Sequence, residues 1–77
     1  MRKKHPLEVR AVNDFFNFCF SVGEGRPADW FREQPFEEAG IDYGFFLIGV
    51  LTRAYRSPVF EVLYGDDGWH IRVKSVL

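Results

Sequence analysis

Between residues 7 and 22 the polar positions Arg10, Asn13, Asp14, Asn17 and Ser21 recur at helical spacing, which marks one solvent-facing stripe of an α-helix. Val9, Val12, Phe15, Phe16, Phe18, Cys19, Phe20 and Val22 fill the other faces. Pro6 suits a first helical turn, where its missing N–H is no loss, and Glu8 sits near the positive end of the dipole. Gly23 suits the left-handed position that ends a helix. Leu7, Val9 and Ala11 also alternate with Glu8 and Arg10 as a strand would, but the polar stripe runs on past Val12. A helix is therefore expected.

Residues 23–27 (Gly-Glu-Gly-Arg-Pro) read as a loop. Pro27 can open a short helix reaching about Gln34, and Pro35 forbids its smooth continuation. A further turn over residues 36–39, stopped by Gly40, is expected after it. Residues 43–56 are ambiguous: the run 45–51 is apolar on all sides, so periodicity alone does not separate a buried helix from a buried strand. Two glycines and two β-branched residues over residues 44–51 favour a strand. Asp42 as an N-cap, Arg53 and Arg56 in a last turn and Pro58 just beyond favour a helix, which is the preferred reading.

Residues 59–76 alternate as a hairpin. Phe60, Val62, Tyr64, Trp69, Ile71 and Val73 fall on one face; Glu61, His70, Arg72 and Lys74, with Val59 and Leu63 among them, fall on the other. Residues 65–68 (Gly-Asp-Asp-Gly) supply the turn. With those four as the loop, Tyr64 lies opposite Trp69 and Glu61 opposite Arg72. A two-stranded ribbon is marginal alone, so helices must cover its apolar face. The fold class expected is α+β: one small domain over residues 1–77, N-terminal helices packed on a C-terminal antiparallel hairpin, with residues 1–6 as a flexible basic arm.

Composition sharpens this picture in one respect. Aromatic residues make up 18% of the 77-residue chain, and a domain this small hides only about 60–65% of the surface its unfolded form exposes. Some rings are expected to remain outside and mark a partner surface. Net charge is −1, yet the charges are unevenly placed. Residues 24–42 hold Glu24, Asp29, Glu33, Glu37, Glu38 and Asp42 against only Arg26 and Arg32.

Candidate chemistry is sparse. Cys19 lies between Phe18 and Phe20, a core setting rather than the polar, open one a nucleophilic thiolate needs. One cysteine makes neither an internal disulfide nor a Cys-rich zinc site. Asp66, Asp67 and His70 can each ligate a metal, but their spacing matches no strong motif and the aspartates serve a turn well. The glycines form no phosphate loop. No catalytic, cofactor or metal residues are assigned, and a non-enzyme is expected.

Met1 is followed by Arg2, Lys3, Lys4 and His5, but Pro6, Glu8, Arg10, Asn13 and Asp14 interrupt any apolar core of a signal peptide. The longest apolar run, residues 44–51, is too short to span a bilayer. A complete, soluble, cytoplasmic protein is expected. The terminal Lys-Ser-Val-Leu, residues 74–77, resembles a carboxylate-recognition tail, though a strand end is the preferred reading.

The functional expectation is a protein-binding module, such as an inhibitor, an antitoxin-like protein or a regulatory accessory protein, that meets a basic surface of another protein. Trp30, Phe31 and Phe36 are candidate anchors beside Glu33, Glu37, Glu38 and Asp42, because aromatics flanked by charge make typical hot spots. The same rings serve equally well as pins that hold the acidic segment to the core. Small phage-encoded inhibitors such as anti-CRISPR proteins share this size and charge layout, a likeness of layout and not of sequence. The alternative is nucleic-acid binding through Arg2, Lys3 and Lys4 with the His70, Arg72 and Lys74 row. Homo-oligomerisation is compatible with either.

Overall fold

The computed structural model describes residues 6–74. Residues 1–5 and 75–77 lie outside that range, and with them Arg2, Lys3 and Lys4 of the expected arm and the end of the expected tail. Pro6 belongs to the first helix rather than to an arm. Helix α1 spans Pro6–Val22, and all five residues of its polar stripe are exposed. Gly23 takes φ +96°, and its N–H donates to the Cys19 carbonyl at 2.7 Å, so the helix ends on a left-handed glycine as its sequence implies.

The loop expected at residues 23–27 contains a strand, and this corrects the two-stranded ribbon to a three-stranded sheet. Strand β1, Glu24–Gly25, pairs antiparallel with β3, Gly68–Val73, matching Glu24 to Arg72 and Gly25 to Ile71. The Val73 N–H donates to the Gly23 carbonyl at 2.9 Å. Two residues are too few for alternation to show in a sequence. What fixes β1 is a close approach: a Cβ on Gly25 would lie 2.7 Å from Cys19 Sγ and 3.2 Å from the Phe15 ring.

Helix α2, Pro27–Arg32, stops short of Gln34, and turns occupy residues 33–40. The expected stop at Gly40 is present. Gly40 has φ +76°, its N–H donates to Glu37 O, and the next N–H, of buried Ile41, reaches back to Phe36 O at 2.9 Å. That bond pattern, with a left-handed glycine and a buried apolar residue after it, closes a helical turn. Residues 43–56 form helix α3, Tyr43–Arg56, so the strand alternative falls. The Asp42 carboxylate accepts from the Phe45 N–H at 3.2 Å, and Phe46, Val50 and Ala54 form the buried stripe.

Strand β2, Phe60–Gly65, pairs with β3 in the expected register, Glu61 opposite Arg72 and Tyr64 opposite Trp69. The loop is tighter than expected: Gly65 pairs with Gly68, and Asp66 and Asp67 alone form the turn. Gly68 supplies the left-handed residue at φ +95°. The strand ends at Val73, before residue 76. The sheet order is β1-β3-β2, so β3 is central.

Helix α1 packs on β1 and β3, α3 on β2, and α2 on β3 and α3. Ile71 is fully buried, and Phe60 and Val62 pack against the core. Rings fill most of the remaining space. Phe46 meets Phe15, Phe31 and Phe36 at centroid distances of 6.1, 5.6 and 5.8 Å. Tyr64 shares the inward set but stays 70% exposed, edge-on to Trp69 at 4.6 Å. Among the described residues no helix is long and apolar enough to cross a membrane.

Burial ranks the sheet positions differently from alternation alone. Ile71→Ala should cost about 2–5 kcal/mol in urea unfolding, and Trp69→Ala, at a half-buried position, less than full truncation of a buried ring. Gly25→Ala should cost about 1–3 kcal/mol through overpacking against Cys19. Cys19→Ala in the same chain should return part of that loss, which a double-mutant cycle reads as coupling between the two sites.

Candidate functional site

The acidic segment begins on α2 and continues through the turns to Asp42. Its two arginines are both paired, with Asp29 of the segment and with Asp67 of the hairpin turn. Arg26 Nε lies 3.0 Å from Asp29 Oδ2, and Arg26 Nη1 lies 3.1 Å from Asp67 Oδ2 on the hairpin turn. Arg32 Nη2 donates to Asp29 Oδ1 at 2.8 Å. Asp29 therefore takes both arginines of the segment, and no ion pair among the described residues reaches Glu33, Glu37 or Glu38. All three are exposed. Asp42 is exposed as well, but its carboxylate is occupied as the cap of α3, where its charge also suits the helix dipole.

The aromatic candidates lie beneath this charge rather than on it. Phe31 is buried and packs on Phe36 and Tyr43, each at 5.2 Å. Phe36 is half-buried against the core cluster. Trp30, also half-buried, lies 5.9 Å from Phe15 and 5.2 Å from Phe18. Its Nε1–H is buried and meets no hydrogen-bond acceptor among the described residues. The core role of these rings was one of two readings open in the sequence; the packing realises it. The most exposed rings are elsewhere, at Phe20, Tyr55 and Tyr64.

Two grooves open on the acidic side: one of about 770 Å³ that Asp29, Trp30 and Glu33 share with the hairpin turn, and one of about 390 Å³ lined by Phe31, Pro35 and Tyr43 with Glu37, Glu38 and Arg32. Burial, and next to it the negative charge of Asp29, push the Tyr43 phenol above its ordinary value. The smaller groove has an apolar floor and an acidic margin, a combination suited to the stem and head of a long basic side chain. Sequence reasoning named Phe31, Glu37 and Glu38 but missed Pro35 and Tyr43. A proline that breaks a helix and a tyrosine opening the next one carry no local signal of sharing a groove.

The basic row has a different character. Arg72 Nη2 lies 2.7 Å from Glu61 Oε1, and its Nε donates to the same oxygen at 2.8 Å. His70 Nε2 is 3.6 Å from Glu24 Oε2. Acids from both neighbouring strands thus flank the row, a partner set that the sequence hid because β1 was unrecognised. Arg53 lies over the Phe16 ring at 4.8 Å and donates to Asn13 Oδ1. Among the described residues no three of His, Cys, Asp or Glu gather as metal ligands. Asp67 is paired with Arg26, and His70 Nε2 faces Glu24.

Cys19 is fully buried, and burial pushes its thiol up to about 12 from an ordinary 9.0. No family model, curated protein or solved structure matches this chain.

The folded thiol holds its proton more tightly than the unfolded one. It therefore adds stability below about pH 9 that declines as pH climbs towards 12. Reaction of Cys19 with an aromatic disulfide reagent near neutral pH should proceed only at the rate of opening of the fold, and rise steeply in denaturant. A fast reaction in native buffer would contradict the buried setting.

Proposed function

We propose that this chain is a non-enzymatic protein-binding module, an inhibitor or regulatory accessory protein, whose acidic segment docks on a basic surface of another protein. The observation that carries this reading is the neutralisation of Arg26 and Arg32 by Asp29 and Asp67, which leaves Glu33, Glu37 and Glu38 as outward charge, the last two on the groove of Phe31, Pro35 and Tyr43. Such a surface steers encounter with a basic partner and competes with nucleic-acid phosphate for a basic groove. A cytoplasmic setting and a phage-type inhibitory role belong to the same proposal. Phe31 contributes the groove floor, and Asp42 contributes the helix cap rather than a free contact.

The alternative, nucleic-acid binding, rests on Arg2, Lys3, Lys4 and the His70, Arg72 and Lys74 row. The pairing of Arg72 with Glu61 reduces the charge available to phosphate, and Glu24 beside His70 sets a carboxylate against the row. A salt-titrated mobility-shift assay separates the two readings, because phosphate-driven binding is strongest at low salt.

The direct test is affinity capture from the native host with the wild-type chain and with a Glu33/Glu37/Glu38→Lys variant that keeps Asp42. A partner retained by wild type and lost from the variant is expected, with binding that weakens as salt rises. Equal recovery by both chains would remove the acidic face from the mechanism, and a mobility shift at low salt would favour the alternative.

A further inference from the structure

Strand β2 forms an outer edge of the sheet; among the described residues it pairs with β3 alone. The phase of its hydrogen bonding follows from one bond. The Lys74 N–H donates to the Val59 carbonyl at 2.7 Å, and the register continues without a bulge from Phe60 opposite Val73 to Gly65 opposite Gly68. In an antiparallel ladder, hydrogen-bonded and non-hydrogen-bonded pairs alternate. Val59, Glu61 and Leu63 therefore direct their backbone groups to β3, and Phe60, Val62 and Tyr64 direct theirs to the outer edge.

That edge lacks the usual protections. A proline, an inward-pointing charge, a bulge or a covering lysine blunts a natural edge against pairing with another chain. Residues 60–64 (Phe-Glu-Val-Leu-Tyr) contain no proline or lysine. Their one charge, Glu61, is held across the sheet by Arg72 at 2.7 Å. Four of the five are β-formers or large apolar residues.

We propose that β2 pairs antiparallel with β2 of a second copy of this chain about a dyad at Val62, joining the two sheets into one. The register follows from chemistry. With Val62 opposite Val62 of the second copy, Phe60 faces Tyr64 of the second copy on both sides of the dyad, and each of these pairs brings outward backbone groups together. Every outward N–H of the strand then finds an acceptor. The inner face gains two aromatic pairs, the kind of cross-strand contact that stabilises sheets, and Tyr64, 70% exposed in the single chain, is covered. Glu61 meets Leu63 of the second copy. A slip that places the dyad at Glu61 sets two carboxylates opposite each other, and a slip to Leu63 leaves the outward groups of Phe60 without partners.

The proposal is independent of the acidic segment, and its readout is the mass of the protein in solution. Sedimentation equilibrium of the full chain from micromolar to millimolar concentration is expected to show a monomer–dimer equilibrium. Tyr64→Lys sets an ammonium against Phe60 of the second copy on both sides of the dyad and should weaken the dimer at least about tenfold, with unchanged far-ultraviolet circular dichroism. Tyr64→Pro deletes an outward N–H, leaves every donor to β3 in place, and should weaken it as well. Leu63→Lys, which lies against Glu61 of the second copy, should keep the dimer. A wild-type chain that stays monomeric throughout, or a dimer unaffected by both Tyr64 substitutions, would overturn the proposal.

Discussion

Contact among the aromatic rings around Phe46, edge-on to Phe15 and tilted against Phe31 and Phe36, is the interaction on which the rest of the molecule depends. Each local element is weak by itself. Helix α2 has six residues, far below the length at which a helix holds its shape in water, and β1 has two. Rings from successive segments converge on one cluster: Phe15 and Phe16 from α1, Phe31 from α2, Phe36 from the turns, Tyr43 and Phe46 from α3, and Phe60 from β2. Each buried ring removes roughly 150–250 Å² from water, so few side chains suffice to close a core in a chain of 77 residues. The close approach of Gly25 to Cys19 and Phe15 brings the sheet onto the same cluster.

This dependence explains which features were legible in the sequence. The polar stripe of α1, the glycine and aspartate punctuation at Gly23, Gly40 and Asp42, and the hairpin register are local signals, and all appear where the residues place them. Helix α3 was harder to read, since its apolar run has no polar face; the Asp42 cap and the arginines at its end carried the distinction. Strand β1 was not legible because its pairing depends on β3, more than forty residues later in the register of Glu24 with Arg72. The same omission hid Glu24 as the partner of His70.

At the candidate site the charges were readable and the depth of the rings was not. Residue type announces that Glu33, Glu37 and Glu38 belong in water, whereas a phenylalanine beside them fits a core or an interface equally well. Helix α2 presses Phe31 onto Phe36, Tyr43 and Phe46, and that placement turns the acidic segment into a lid over the core. The surface ion pairs of Arg26, Arg32 and Asp29 contribute little to stability individually. Their effect is on the field: with Asp67 of the hairpin turn, Asp29 offsets both arginines and leaves Glu33, Glu37 and Glu38 to face outward.

The central position of β3 carries a consequence for how the molecule is made. β3 follows β1 and β2 in the chain, yet it lies between them and supplies fully buried Ile71 to the core. Until β3 has been made, β1 has no strand beside it and the side of α1 that packs on β3 lies open to solvent. The sheet thus closes around β3, the third of its strands in chain order, rather than growing stepwise from β1.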